Sequence, residues 1–307
     1  MIVIRLGLYL SLMLLVGIAA FPLYALRKAE RANATVFAIR RMLAFWCAVS
    51  ILLSILGFLV LIANMAETPI SDPDWQTGSS ILFETPIGSA WLVRMAALLI
   101  ALAAAHFSRS DEQRLIAVVL AGSIALSTLV WTGHAGATEG TLGLVHKISD
   151  ILHMLAAAIW LGGIAAFLLL LTAPSDQLWG DRLVVGHRAL EEFSLVGTIC
   201  VSVIVATGLV NGQILVGIEN TPNLFNSAYG QLLLVKLLLV GAMMLLAAKN
   251  RWRLTPDLGR ALSEGSAIAA VAALRKSLLR EAAGGVAILG LVAWLGTIEP
   301  TASMAMS

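Results

Sequence analysis

Charge is scarce in this chain. Asp, Glu, Lys and Arg make up 12% of its 307 residues, against about 25% in a typical soluble globular protein. Cysteine is scarcer still. Cys47 and Cys200 are the only two, each inside an apolar run, which excludes a disulfide-stapled secreted scaffold. A net charge of +2 leaves no electrostatic footprint for nucleic acid. No Walker-type phosphate loop occurs, so any transport is passive or ion-coupled. What the chain has in abundance is apolar residues, 59% of the total, with a mean hydropathy of +0.92. These lie in long blocks, so the chain is an integral membrane protein and neither a cytosolic enzyme nor a disordered chain.

A helix needs about 20 apolar residues to cross the hydrocarbon core. Eight blocks reach that length, near 6–26, 42–64, 89–107, 115–133, 148–172, 194–217, 229–248 and 278–298. The longest gaps, 65–88 and 249–277, read as loops too short for a separate domain. The expectation is an all-α, polytopic membrane helix bundle in which residues 1–307 form one domain. Basic residues group in alternate loops: Arg27, Lys28, Arg31, Arg40 and Arg41; Arg109 and Arg114; Arg182 and Arg188; then Lys249, Arg251, Arg253, Arg260, Arg275, Lys276 and Arg280. The other loops carry Glu67, Asp72, Asp74, Glu84, Glu139 and Glu219. Positive loops stay in the cytoplasm, which places both termini in the periplasm. The first block, long and followed by its positive charge, reads as a retained span and not a cleaved signal peptide.

The two halves, about 1–140 and 141–307, echo each other. Gly17-Ile-Ala-Ala-Phe21 recurs as Gly163-Ile-Ala-Ala-Phe167. Gly88 precedes Arg94 by six residues, as Gly230 precedes Lys236. Trp131-Thr-Gly133 ends the fourth span and Trp294-Leu-Gly296 the eighth. Four spans per half predict a parallel 4+4 repeat.

Five histidines occur: His106, His134, His146, His153 and His187. Three crowd the outer end of spans four and five. On a helix His146, Asp150 and Met154 fall at i, i+4 and i+8, and His153 shares their face. That face is about 11 Å long, too long for one ion to reach every residue. Asp150 and His153 could chelate one ion, with His134 folding in from the preceding loop and His146 as a third ligand or an approach residue. Imidazole suits copper, zinc, iron and nickel, and thioether sulfur selects copper(I). The plainer reading makes these interfacial polar residues at a helix end. Trp160, seven residues after His153, would wall the same site. Arg94 and Lys236 lie about 10 Å inside their spans, where they either snorkel outward or pair with Asp150, an anion or a porphyrin propionate. Met304 and Met306 are weak candidates for metal capture.

The run Gly133-His134-Ala, then Asp150-Ile-Leu-His153-Met-Leu-Ala-Ala-Ala-Ile-Trp160-Leu-Gly162-Gly163, resembles the CopD family of bacterial copper resistance membrane proteins. So do Thr85 to Arg94, Phe193-Ser194, Thr207-Gly208, Tyr229-Gly230 with Lys236, and Trp294 to Pro300. The resemblance covers nearly all eight spans. It implies a multi-pass inner-membrane protein, not an enzyme, that moves copper from periplasm towards cytoplasm in copper resistance or homeostasis. It also implies a separate, small periplasmic copper-binding partner of the CopC type. His134, Asp150 and His153 carry over as copper-associated positions, and His146 less firmly. A homo-oligomer is left open. The His-then-Trp-Gly pattern is similar, in part, to the HemJ-type haem membrane proteins. That supplies the alternative, a membrane oxidoreductase holding haem b through His153 with His134 or Lys236.

Overall fold

The computed structural model describes residues 1–31, 39–171, 176–217 and 224–298, with the backbone alone for 176–181. Twelve α-helices follow one another among these residues: α1 (Ile2–Ala25), α2 (Lys28–Arg31), α3 (Ile39–Ala66), α4 (Trp75–Glu84), α5 (Pro86–Phe107), α6 (Asp111–Ser127), α7 (His134–Ala137), α8 (Gly140–Leu170), α9 (Asp176–Leu215), α10 (Ala228–Lys249), α11 (Thr255–Ser263) and α12 (Ile268–Leu295). A 3₁₀ turn, Thr128–Thr132, prolongs α6, and a π turn, Asn250–Leu254, joins α10 to α11. No strand occurs among the described residues. Eight helices, α1, α3, α5, α6 with its 3₁₀ turn, α8, α9, α10 and α12, are long and apolar enough to cross a membrane. Glu219, Glu299, Pro300, Met304 and Met306 lie outside the described residues.

The gaps expected to be loops hold helix. The segment 65–88 contains α4, and 249–277 contains the π turn, α11 and the start of α12. Hydropathy reads only the part of a helix that lipid or core must cover. A helix continues past that part while its backbone bonds close and its polar side chains reach water, as exposed Arg275 and Lys276 do on α12. Local chemistry sets the starts. Asp74 caps α4 through the Gln76 amide at 3.0 Å, and its carboxyl is held below the usual range by the Thr77 hydroxyl and that amide. Ser110 caps α6 through the Gln113 amide at 3.2 Å, with Asp111 and Glu112 in the first turn, where the helix dipole favours acids. The π turn falls just before Pro256, whose ring crowds the carbonyl four residues back and removes an N–H from the ladder.

Helix α1 is the centre of the bundle. It packs on α3, α6, α8 and α12, and its Leu12, Leu15 and Phe21 are fully buried. The closest approach is α1 against α8, where a Cβ on Gly17 would stand 2.0 Å from the Ala158 oxygen and one on Gly162 2.3 Å from the Gly17 backbone. One turn on, Phe21 meets Phe167 edge to face at 5.0 Å. The two similar pentapeptides therefore face each other across the bundle centre. Thr85 caps Gly88 at 3.1 Å, as Ser227 caps Gly230 at 3.0 Å, so those two segments share a local start.

The halves pack differently. Helices α1, α3, α5 and α6 close into a ring, each on the next. In the second half α8 holds α9, α12 holds α10, and α12 leans on α8, while α9 and α10 make no comparable contact. The space between them is where the candidate site lies.

Candidate functional site

A cavity of about 670 Å³ opens between α1, α8, α9, α10 and α12, beneath α7. Seven of the eight sequence-derived candidates among the described residues line it: His134, His146, Asp150, His153, Met154, Trp160 and Lys236. Arg94 does not. It is buried in a separate pocket of about 140 Å³ between α1, α3 and α5, where its Nε donates to Thr128 Oγ1 at 2.8 Å. The matching positions of Arg94 and Lys236 thus lead to different surroundings. Arg94 stays in the closed first half, with Arg5 and Tyr9 between its pocket and the cavity, whereas the open second half brings Lys236 to the same cavity as Asp150.

Helix α8 explains the spacing. It starts at Gly140, whose φ of +65° suits glycine, and runs unbroken, so His146, Asp150, His153, Met154 and Trp160 ride one rigid face. His134 opens the short α7 and reaches across to the end of α12. Its Nε2 lies 3.1 Å from the Leu295 oxygen. A carbonyl only accepts, so Nε2 carries the proton and Nδ1 keeps the lone pair. Burial pushes the His134 imidazole below its ordinary value, with the Leu295 bond opposing in part. The ring packs edge-on to Tyr229 at 6.0 Å.

His153 is fixed by a similar logic. The Thr207 hydroxyl donates its one proton to the Val203 oxygen at 2.6 Å, back-bonding along α9. Towards His153 Nδ1, 2.9 Å away, it can therefore only accept. Nδ1 carries the proton, and Nε2 holds the lone pair. Ser149 ties the same turn of α9 from α8, donating to the Thr207 oxygen at 3.2 Å. Thr138 Oγ1 stands 2.9 Å from His146 Nδ1 and 3.2 Å from the His134 oxygen, linking the two histidines through one hydroxyl. Asn211 Nδ2 approaches Asp150 Oδ1 at 3.4 Å, and Lys236 is the positive charge acting on that carboxyl.

Among the described residues no three His, Cys, Asp or Glu side chains come close enough together to hold one metal ion. The four candidate ligands are strung along the cavity instead. Cys47 and Cys200 are free, buried and outside it.

The structure adds residues that the sequence reading did not assign to the site, although Thr207 and Tyr229 stood in the motifs of the resemblance. Arg5 donates to the Thr132 and Gly296 oxygens, tying the start of α1 to the ends of the fourth and eighth spans. Tyr9, Asn211 and Tyr229 line the cavity beside it, and Thr207 stands behind His153 at 2.9 Å. Thr207 and Asn211 had a signal, polar residues at i and i+4 with Gly208 and Gly212 in an apolar span. Arg5 had none, since its partners are backbone oxygens.

Two family models match the chain: "Copper resistance protein D-like, N-terminal domain" over residues 1–144 and "Copper resistance protein D" over residues 187–295. His134, Thr207 and Lys236 fall inside those ranges, while His146, Asp150 and His153 fall between them. Copper resistance protein D of Pseudomonas syringae pv. tomato is 37% identical over 304 residues, covering 97% of this chain and 96% of that protein. Inner membrane protein YebZ of Escherichia coli (strain K12) is 28% identical over 76% of this chain and 74% of its own length. Copper transport protein CutJ of Bacillus subtilis (strain 168) is 34% identical over 56% of this chain and 32% of its own length. No solved structure matches. These matches and the eight apolar spans make the chain a multi-pass inner-membrane protein that belongs to the copper resistance protein D family.

Proposed function

We propose that the protein moves copper ions across the inner membrane, from periplasm towards cytoplasm, and so contributes to copper resistance or homeostasis. One observation carries the reading. Four candidate ligands, His134, His146, Asp150 and His153, line one cavity in sequence, and His134 and His153 have one ring nitrogen tied so that the other presents its lone pair. Donors strung along a wall suit an ion handed from ligand to ligand better than an ion stored in a closed chelate. Names support it too: two relatives are called a copper resistance protein and a copper transport protein. In this reading copper is cargo and no reaction is catalysed. His134 and His146 receive it, Asp150 and His153 hold it next, and a small periplasmic copper-binding protein of the CopC type delivers it. Both termini lie on the periplasmic side, where the basic loops place them. The facing pentapeptides of α1 and α8 and the equivalent caps of α5 and α10 support a 4+4 repeat within one membrane domain.

The alternative, a haem-binding oxidoreductase, has one observation in its favour. The cavity is large for a bare ion and holds two cations, Arg5 and Lys236, against one carboxylate, Asp150. An absorption spectrum with metal analysis on purified protein separates the two. Copper near one equivalent, lost in His134→Ala/His153→Ala and without a Soret band, is the expected result. A Soret band lost in the same variant establishes the haem reading. Neither signal leaves the histidines as interfacial residues and removes the copper reading.

A further inference from the structure

Below the cavity floor, α12 and α10 share a second buried polar cluster. Glu281 is 2% exposed. Asn250, at the start of the π turn, is also buried and donates through Nδ2 to Glu281 Oε1 at 2.8 Å. Asn250 Oδ1 and the buried Ser277 Oγ, one turn before Glu281 on α12, have no partner. Among the described residues the carboxyl thus has one neutral donor and no ion pair. The nearby cations of α10, the π turn and α12, namely Lys249, Arg251, Arg253, Arg275, Lys276 and Arg280, are all exposed. Arg251 turns to the Ser194 oxygen of α9, and Arg260 of α11 pairs with Asp257. On α9, His187 faces Glu191, and Arg188 takes Glu30 and Glu192. Among the described residues no cation stands within ion-pair distance of Glu281. A carboxylate stripped of water and given no counter-charge is costly, whereas the same group as a neutral acid is not.

Its position links it to the cavity. Gly285, one turn above Glu281, lines the cavity, as does Met243, two turns before Asn250 on α10. The floor between is tight, since a Cβ on Gly284 would stand 3.0 Å from Met243 Cγ. Glu281 is therefore about 6 Å along the helix axis from the cavity, on the side away from the histidines. Its oxygen donors suit a proton or another hard cation better than copper(I).

We propose that Glu281, oriented by Asn250, is a proton-binding site that couples cation movement out of the cavity to proton release, a proposal that rests on the transport reading for its coupling and on the buried cluster for its proton. As a cation reaches the floor, the acid O–H bond breaks, its electron pair stays on the carboxylate, and the proton leaves towards the face carrying Arg251 and Arg253. The negative charge left behind balances one positive charge of the arriving ion. As the cation moves on, a proton returns. No oxidant or reductant is needed.

The full chain in lipid nanodiscs tests the proton by infrared difference spectroscopy. The expected result is a protonated-carboxyl band at neutral pH, absent in Glu281→Gln, shifted in Asn250→Ala, and diminished when copper(I) is added to the wild type. Absence of the band, or a band indifferent to copper, overturns the proposal. In proteoliposomes, copper(I) uptake by the wild type should vary with an imposed pH gradient, and Glu281→Gln should lose that variation while copper binding at the cavity persists. An unchanged gradient response in Glu281→Gln overturns the coupling. Wild type that moves no copper overturns the transport reading instead. The proton site is then judged by the band and its response to bound copper alone.

Discussion

At the scale of single residues, what matters most at His153 is a hydroxyl that donates elsewhere. Thr207 gives its proton to Val203 and so can only accept from His153, which leaves Nε2 basic. Partners behind a metal-binding imidazole fix its tautomer and orientation, and their loss typically costs 10- to 100-fold in metal affinity. Thr207→Val keeps the shape and removes the acceptor. We expect copper affinity, measured by competition with a chelator, to fall by about 10- to 100-fold, while Thr207→Ser stays close to wild type. Equal affinities for wild type and Thr207→Val would show that the hydroxyl does not orient the ring. His146, Asp150, His153 and Met154 were legible as one face of a helix, because i, i+4 and i+8 positions coincide on any α-helix. Thr207 and Asn211 were not legible as their partners, because nothing local pairs two positions about sixty residues apart.

At the scale of helices, α1 and α8 meet backbone to backbone at Gly17 and Gly162. In lipid, helices associate through such close approach, since hydrocarbon gives them no hydrophobic drive to pair. Gly17→Ala and Gly162→Ala each push the helices apart, and overpacking costs about 1–3 kcal/mol. Both should lower the thermal midpoint in detergent. Gly241→Ala and Gly290→Ala, where an added Cβ meets nothing within 4 Å, should leave it unchanged or slightly raised. If all four variants behave alike, the α1–α8 contact is not the seam described here. The helical spans were legible from apolar run length. The interfacial helices α4 and α11 were not, since each is short and amphipathic and hydropathy passes over it.

At the scale of the whole molecule, sidedness decides what the cavity faces. Its histidine end lies with the α3–α4 connection and the start of α8, and the basic turn around Arg253 lies at the opposite end. Single cysteines placed at Ser71 and Arg253, with the buried Cys47 and Cys200 replaced by serine, report this through a membrane-impermeant maleimide. Ser71→Cys should label in intact cells, and Arg253→Cys only after permeabilisation. The reverse pattern would put the histidines on the cytoplasmic face and invert the proposed direction of transport.

The membrane class, the number of spans and the alignment of the α8 candidates were readable from the chain alone, because run length and helical periodicity are local properties. That one half closes while the other opens around a cavity followed from the packing of the helices. So did the parting of Arg94 from Lys236, the meeting of Arg5 and Thr207 with the histidines, and the pairing of Glu281 with Asn250. Those outcomes depend on which helices approach closely and which stand apart. That is settled by small residues at their crossings and by the packing of side chains far apart in the sequence.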